Sequence, residues 1–128
     1  SLKKGPIKIG SGRFADTMQV MRGLAGRTIL KLAQRQTNTV IGVVATNARL
    51  DKEGATKVAQ LAMNGLARCV RPVNTMLDGD TLFTLATGRR KADVNIVGAF
   101  AAEVVAEAVL RAVQKAQGLA GVPAITDL

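Results

Sequence analysis

The chain has no histidine, no tryptophan and no tyrosine, and it has one cysteine and three phenylalanines. Each gap removes a class of chemistry. Without His, no His-based metal site and no Ser-His or Cys-His pair can be built within the chain. Aromatics are too few for a surface that stacks the bases of single-stranded nucleic acid. The lone thiol, Cys69, excludes an internal disulfide and suits a reducing, cytoplasmic compartment. No apolar run approaches the ~20 residues of a membrane span and no signal peptide opens the chain, so no membrane partner is expected. No cofactor and no metal are expected either.

Acidic residues are scarce too, nine against 18 Lys and Arg, for a net charge of +9. The excess is local. Residues 1–38 hold eight basic residues against Asp16 alone, whereas residues 39–128 hold ten against eight acidic ones. A basic lead-in can bind nucleic acid. Spaced positive charge of this kind is more often a solvated linker, which argues against a nucleic-acid partner.

What remains is aliphatic. Hydrophobic residues make up 48% of 128, mostly Ala, Val and Leu, enough for one globular domain with a buried core. Ile7-Lys8-Ile9 alternates like a short strand, and Phe14, Met18 and Met21 have helical spacing over 14–22. Val40-Ile41-Gly42-Val43-Val44-Ala45 reads as a buried strand, with Thr39 at its first position. Asp51 is a helix N-cap, and Ala55, Val58, Ala59, Ala62, Leu66, Cys69 and Val70 form one stripe of a helix over 52–70. On that stripe Cys69 reads as packing. A second strand spans 80–87, followed by a basic turn, Gly88-Arg89-Arg90-Lys91. A second helix spans 93–117, with Val97, Ala101, Val104, Ala108 and Ala112 on its core face and a Glu107–Arg111 pair outside. The order is β-α-β-α, an α/β arrangement. Two apolar strands are a thin sheet for two long helices, and they require neighbours and cover from another chain or from upstream sequence.

Two strand mouths carry chemistry. Asn38-Thr39 precedes the first strand, and Asp78-Gly79-Asp80 precedes the second, 39 residues on. The Thr39 hydroxyl can attack the Asn38 carbonyl, giving an ester that water opens. The new chain starts at Thr39, with a free α-amine of ordinary pKa about 8 beside its own hydroxyl. That amine can serve as general base, and the site needs no His.

The ordered set of motifs closely resembles a known family. Asn38-Thr39-Val40-Ile41-Gly42-Val43-Val44-Ala45-Thr46-Asn47-Ala48, Gly65-Leu66-Ala67-Arg68, Arg71-Pro72-Val73 and Met76-Leu77-Asp78-Gly79-Asp80-Thr81-Leu82-Phe83 are similar to the autoprocessed N-terminal-nucleophile aminopeptidases. These comprise L-aminopeptidase/D-esterases, β-peptidyl aminopeptidases and nylon-oligomer hydrolases. Gly12-Arg13-Phe14-Ala15-Asp16-Thr17 resembles their segment before the cleavage point, and the likeness runs over 10–117.

The resemblance implies a precursor cut into α and β fragments. It makes 1–38 the basic end of the α fragment and 39–128 the β fragment, with autocleavage between Asn38 and Thr39. It makes Thr39 the nucleophile and Asp78 and Asp80 the acidic pair beside its amine. It also implies that this β-α-β-α piece belongs to a four-layer α/β/β/α sandwich, incomplete on its own. The oxyanion-hole and pocket residues would lie upstream. Met63-Asn64 and Asn74 stand where relatives often carry His. Expected partners are a short peptide or amide substrate, the upstream α fragment and further copies of the chain. The competing readings are a catalytically silent α/β assembly module or unprocessed fragment, and a nucleic-acid-binding module using residues 3–35.

Overall fold

The computed structural model describes residues 16–23, 39–76 and 78–127. The expected strand at 7–9, Phe14, the segment 27–35 and Asn38 lie outside them. Helix α1 (Thr17–Arg22) opens on Asp16, whose carboxylate accepts the N–H groups of Met18 (3.0 Å) and Gln19 (3.3 Å). These bonds satisfy two of the amide donors that every helix start leaves unpaired.

The body has four elements: β1 (Ile41–Ala48), α2 (Lys52–Cys69), β2 (Thr81–Arg90) and α3 (Val94–Lys115). The two strands pair in parallel with Ile41 opposite Thr81 and Val44 opposite Thr84. Parallel pairing demands a crossover, and α2 supplies it. Both long helices begin on an aspartate. Asp51 accepts from Gly54 N–H at 2.7 Å, and Asp93 from Asn95 and Ile96 N–H at 2.8 and 3.2 Å. The expected α/β piece is therefore present, and it is incomplete as a sheet.

The core lies between one face of the sheet and the two helices. Val44, Val58, Ala62, Leu66, Ala101 and Val105 form it, with Val58 and Leu66 fully enclosed. Cys69 packs at the helix–helix seam, its thiol donating to the Ala106 carbonyl at 3.4 Å, as the apolar stripe indicated. The other sheet face is open. Ile41 is 71% exposed, Val43 64% and Leu85 61%, with Phe83 beside them. The strands are apolar on both faces, yet the described residues cover only one.

Several boundaries and one face differ from the sequence expectation. β1 starts at Ile41, two residues after Thr39, because Val40 N–H is taken by the Asp80 side chain rather than by the ladder. β2 continues through the expected basic turn to Arg90. There Gly88 takes φ +75°, the pairing slips between Thr46 and Ala48, and Arg49 N–H reaches the Arg90 carbonyl at 2.6 Å. A bulge absorbs the two extra residues of β2 between Ala86 and Arg90 that a turn would have spent. Helix α2 stops at Cys69, with Val70 as its extended C-cap, and α3 stops at Lys115, with Ala116 as its own.

The core face of α3 is Gly98, Ala101, Ala102 and Val105; Val104, Ala108 and Ala112 point to solvent. Glycines select that face. A Cβ on Gly65 would lie 2.0 Å from the Ala102 carbonyl oxygen, and one on Gly98 would lie 2.2 Å from a Leu61 methyl. The helices touch nearly backbone to backbone, and a hydrophobicity count gives a glycine no weight. The exposed Glu107–Arg111 pair forms as expected, at 2.6 Å. As a surface pair one turn apart it contributes only about 0.3–0.5 kcal/mol.

The helix seam can be tested directly. Gly65→Ala gains up to about 1 kcal/mol of helix propensity. It must also push a carbonyl and its helix away, at about 1–3 kcal/mol for overpacking. Net destabilisation is expected in urea unfolding. Leu66→Ala should cost about 2–5 kcal/mol as a cavity in a fully enclosed site.

Candidate active site

The register of the parallel pair carries beyond the strands themselves. With Ile41 opposite Thr81, one step back puts Val40 beside Asp80, and two steps put Thr39 beside Gly79. The contacts follow that geometry. Thr81 N–H donates to the Val40 carbonyl at 2.8 Å, and Val40 N–H donates to Asp80 Oδ1 at 2.9 Å. A Cβ on Gly79 would sit 2.9 Å from Thr39 Oγ1. Two motifs 39 residues apart in sequence thus meet at one sheet end. Thr39 and Gly79 are exposed there, while Asp78 and Asp80 are half-buried.

Each carboxylate is held by a different part of the loop that joins α2 to β2. Asp80 Oδ2 accepts the Asn74 N–H at 3.1 Å while its Oδ1 holds Val40, so one side chain ties that loop to the mouth of β1. Asn74 adopts φ +55° in this position, a left-handed conformation that Asn tolerates better than most residues. Asp78 Oδ2 accepts both the N–H (3.1 Å) and the hydroxyl (2.5 Å) of Thr75, and Asp78 N–H returns to the Thr75 carbonyl at 3.1 Å. Hydrogen bonds to an ionised acceptor are the stronger kind. The acidic pair is therefore oriented by the fold.

Sequence reasoning named Thr39, Asp78 and Asp80, and all three lie at this one corner. It named Gly79 only within the Asp78-Gly79-Asp80 motif and Asn74 only as a departure from relatives, and it did not name Thr75. The signal for Thr75 was available: a hydroxyl three residues before an aspartate is a common turn arrangement. Nothing local could have paired Val40 with Asp80, because that bond depends on how β1 aligns with β2. Shallow hollows at 118–127 and along Glu103–Arg111 include none of these residues. Among the described residues no group of His, Cys, Asp or Glu is placed to hold a metal ion. None of the described helices is long and apolar enough to cross a membrane.

The Asp80 bridge has a measurable consequence. Asp80→Ala leaves two amide donors, on Val40 and Asn74, without their acceptor. A loss of about 1–3 kcal/mol is expected where such a group stays buried. Unfolding in urea should show it, and amide hydrogen exchange at Val40 should quicken beyond that at mid-strand Val44.

The chain also has relatives among known proteins. Residues 10–126 match the sequence model described as Peptidase family S58. An uncharacterized aminopeptidase of Mycobacterium leprae is 44% identical, over 78% of this chain and 32% of that protein. Another of Mycobacterium tuberculosis is 42% identical, over 71% and 31% respectively. A 6-aminohexanoate-oligomer endohydrolase of Paenarthrobacter ureafaciens is 32% identical, over 59% of this chain and 25% of its own length. The chain thus spans a third or less of the length of these curated relatives.

Proposed function

Because the chain belongs to Peptidase family S58, we propose that the whole protein is a hydrolase of amide bonds next to a free amino group, with Thr39 as its N-terminal nucleophile. The observation that carries this reading is the meeting of the Thr39 hydroxyl with the Asp78-Gly79-Asp80 turn. The aminopeptidase and oligomer-endohydrolase names of the relatives support the reaction class.

The nucleophile is made by self-cleavage. Thr39 Oγ1 attacks the Asn38 carbonyl carbon, the Asn38–Thr39 C–N bond breaks, and an ester forms as the nitrogen takes the proton. Water then hydrolyses the ester, leaving an Asn38 carboxylate and a free Thr39 amine and hydroxyl. In turnover that amine accepts the hydroxyl proton as Oγ1 adds to the substrate carbonyl. The leaving amine departs with that proton, and water frees the acyl group from Thr39. Asp78 and Asp80 stabilise the ammonium formed in the middle of this sequence, since an opposite charge within ~4–6 Å favours the charged form. The same two negative charges suit a substrate that brings its own ammonium group. Upstream sequence supplies the oxyanion donors, each of which is worth roughly 10²–10³ in rate.

A second reading has its own observation. The open face of Ile41, Val43, Phe83 and Leu85 fits a silent assembly module in which the two aspartates only brace a turn. Intact mass and N-terminal sequencing of the purified full-length polypeptide separate the two. Self-cleavage yields a fragment beginning at Thr39, and a silent module stays whole. Thr39→Ala should block cleavage and lower amide hydrolysis by more than about 10³-fold. Full hydrolysis by that variant would sink the nucleophile assignment.

A further inference from the structure

The two carboxylates at this corner are held by unlike means, and the difference singles out a residue that carries no charge. Asp80 is anchored by backbone amides from two separated segments, Val40 and Asn74. Its position follows from the main chain, and no neighbouring side chain is needed to set it. Asp78 has one backbone anchor, the Thr75 N–H, and one side-chain anchor, the Thr75 hydroxyl at 2.5 Å. Both fall on the same oxygen, Oδ2. Among the described residues none donates to Oδ1, so that oxygen is left to face a new partner.

We propose that Thr75 is a positioning residue for the Thr39 nucleophile, acting through Asp78. The inference rests on the nucleophile reading above. The Thr75 hydroxyl, half-buried in the loop, holds the Asp78 carboxylate by Oδ2 and turns Oδ1 toward the Thr39 amine once cleavage frees it. The turn is closed from both sides, since Asp78 N–H donates back to the Thr75 carbonyl at 3.1 Å. Gly79 follows directly and lies against Thr39 Oγ1. Rotation of the Asp78 carboxylate is thereby coupled to the surroundings of the hydroxyl. A single N–H leaves a carboxylate free to swing about one bond, whereas a second donor on the same oxygen removes that freedom. Rate is sensitive to such freedom, because a misplacement of about 1 Å can cost 10²-fold.

Thr75→Val is the direct test. It keeps the size, the branching and the N–H anchor and deletes the hydroxyl that donates to Asp78. Thr75→Ser restores the donor on a smaller side chain. Both are made in the full-length polypeptide beside Thr39→Ala. The measurements are the rate at which the fragment beginning at Thr39 appears by intact mass, steady-state kinetics on L-alanine p-nitroanilide and a 6-aminohexanoate oligomer, and the thermal midpoint.

Thr75→Val is expected to slow self-cleavage and lower kcat by about 10- to 100-fold. KM should stay within about twofold, since uniform substrate binding is untouched. Thr75→Ser is expected to recover most of the loss. Wild-type rates in Thr75→Val overturn the inference. Equal losses in the Val and Ser variants that follow a lowered thermal midpoint overturn it as well, because they mark a merely structural threonine. Undiminished cleavage or hydrolysis in Thr39→Ala overturns the nucleophile reading and this inference with it. An inactive Thr39→Ala beside a normal Thr75→Val overturns this inference alone.

Discussion

The in-register parallel pairing of β1 with β2 is the constraint on which the rest depends. A parallel pair cannot close through a tight turn, so the chain between the strands must travel the full length of the sheet and return. Helix α2 makes that return, and its packing under the sheet places Val58, Ala62 and Leu66 against Val44. The same register sets which residues face each other beyond the strand ends. Slipping it by one residue would turn every side chain of one strand to the other face. It would also part Val40 from Asp80 and Thr39 from Gly79. The core and the candidate site thus rest on one alignment.

Hydrogen bonding at the strand mouths links stability to chemistry. Asp80 spends both oxygens on main-chain donors and so fastens a loop to β1. Such a residue would be kept by a protein with no catalytic task at all. Asp78 is different, because its second oxygen is not consumed by the turn. Gly79, between the two, leaves room for a threonine side chain where any Cβ would crowd it. Asp80 therefore braces this corner and Gly79 clears it.

The open sheet face gives the chain its second character. Ile41, Val43, Phe83 and Leu85 lie where solvent reaches them, although each is of a type that strands normally bury. The proportion of each relative that the chain matches, a third or less, agrees with a piece whose remaining cover comes from elsewhere. The aliphatic helix seam, by contrast, is finished. Gly65 and Gly98 let α2 and α3 approach until main chain meets main chain, and the buried Ala101, Ala102 and Val105 fill the rest.

Much of this was legible in the sequence, and for identifiable reasons. Short-range rules governed the order β-α-β-α, the cap at Asp51, the buried stripe of α2 and the Glu107–Arg111 pair, and such rules need only neighbouring residues. The residue types at Thr39, Asp78 and Asp80 were equally plain. The core face of α3 was legible only at Val97 and Ala101, because glycines at the seam outrank the larger Val104 when two backbones come into contact. The end of β2 was not legible, because a bulge at Gly88 prolongs pairing that composition would end. Local pattern thus determined the elements and the candidate chemistry. Only the tertiary structure decided which groups meet, since the Val40–Asp80 and Thr39–Gly79 contacts arise from a strand register that no stretch of sequence contains by itself.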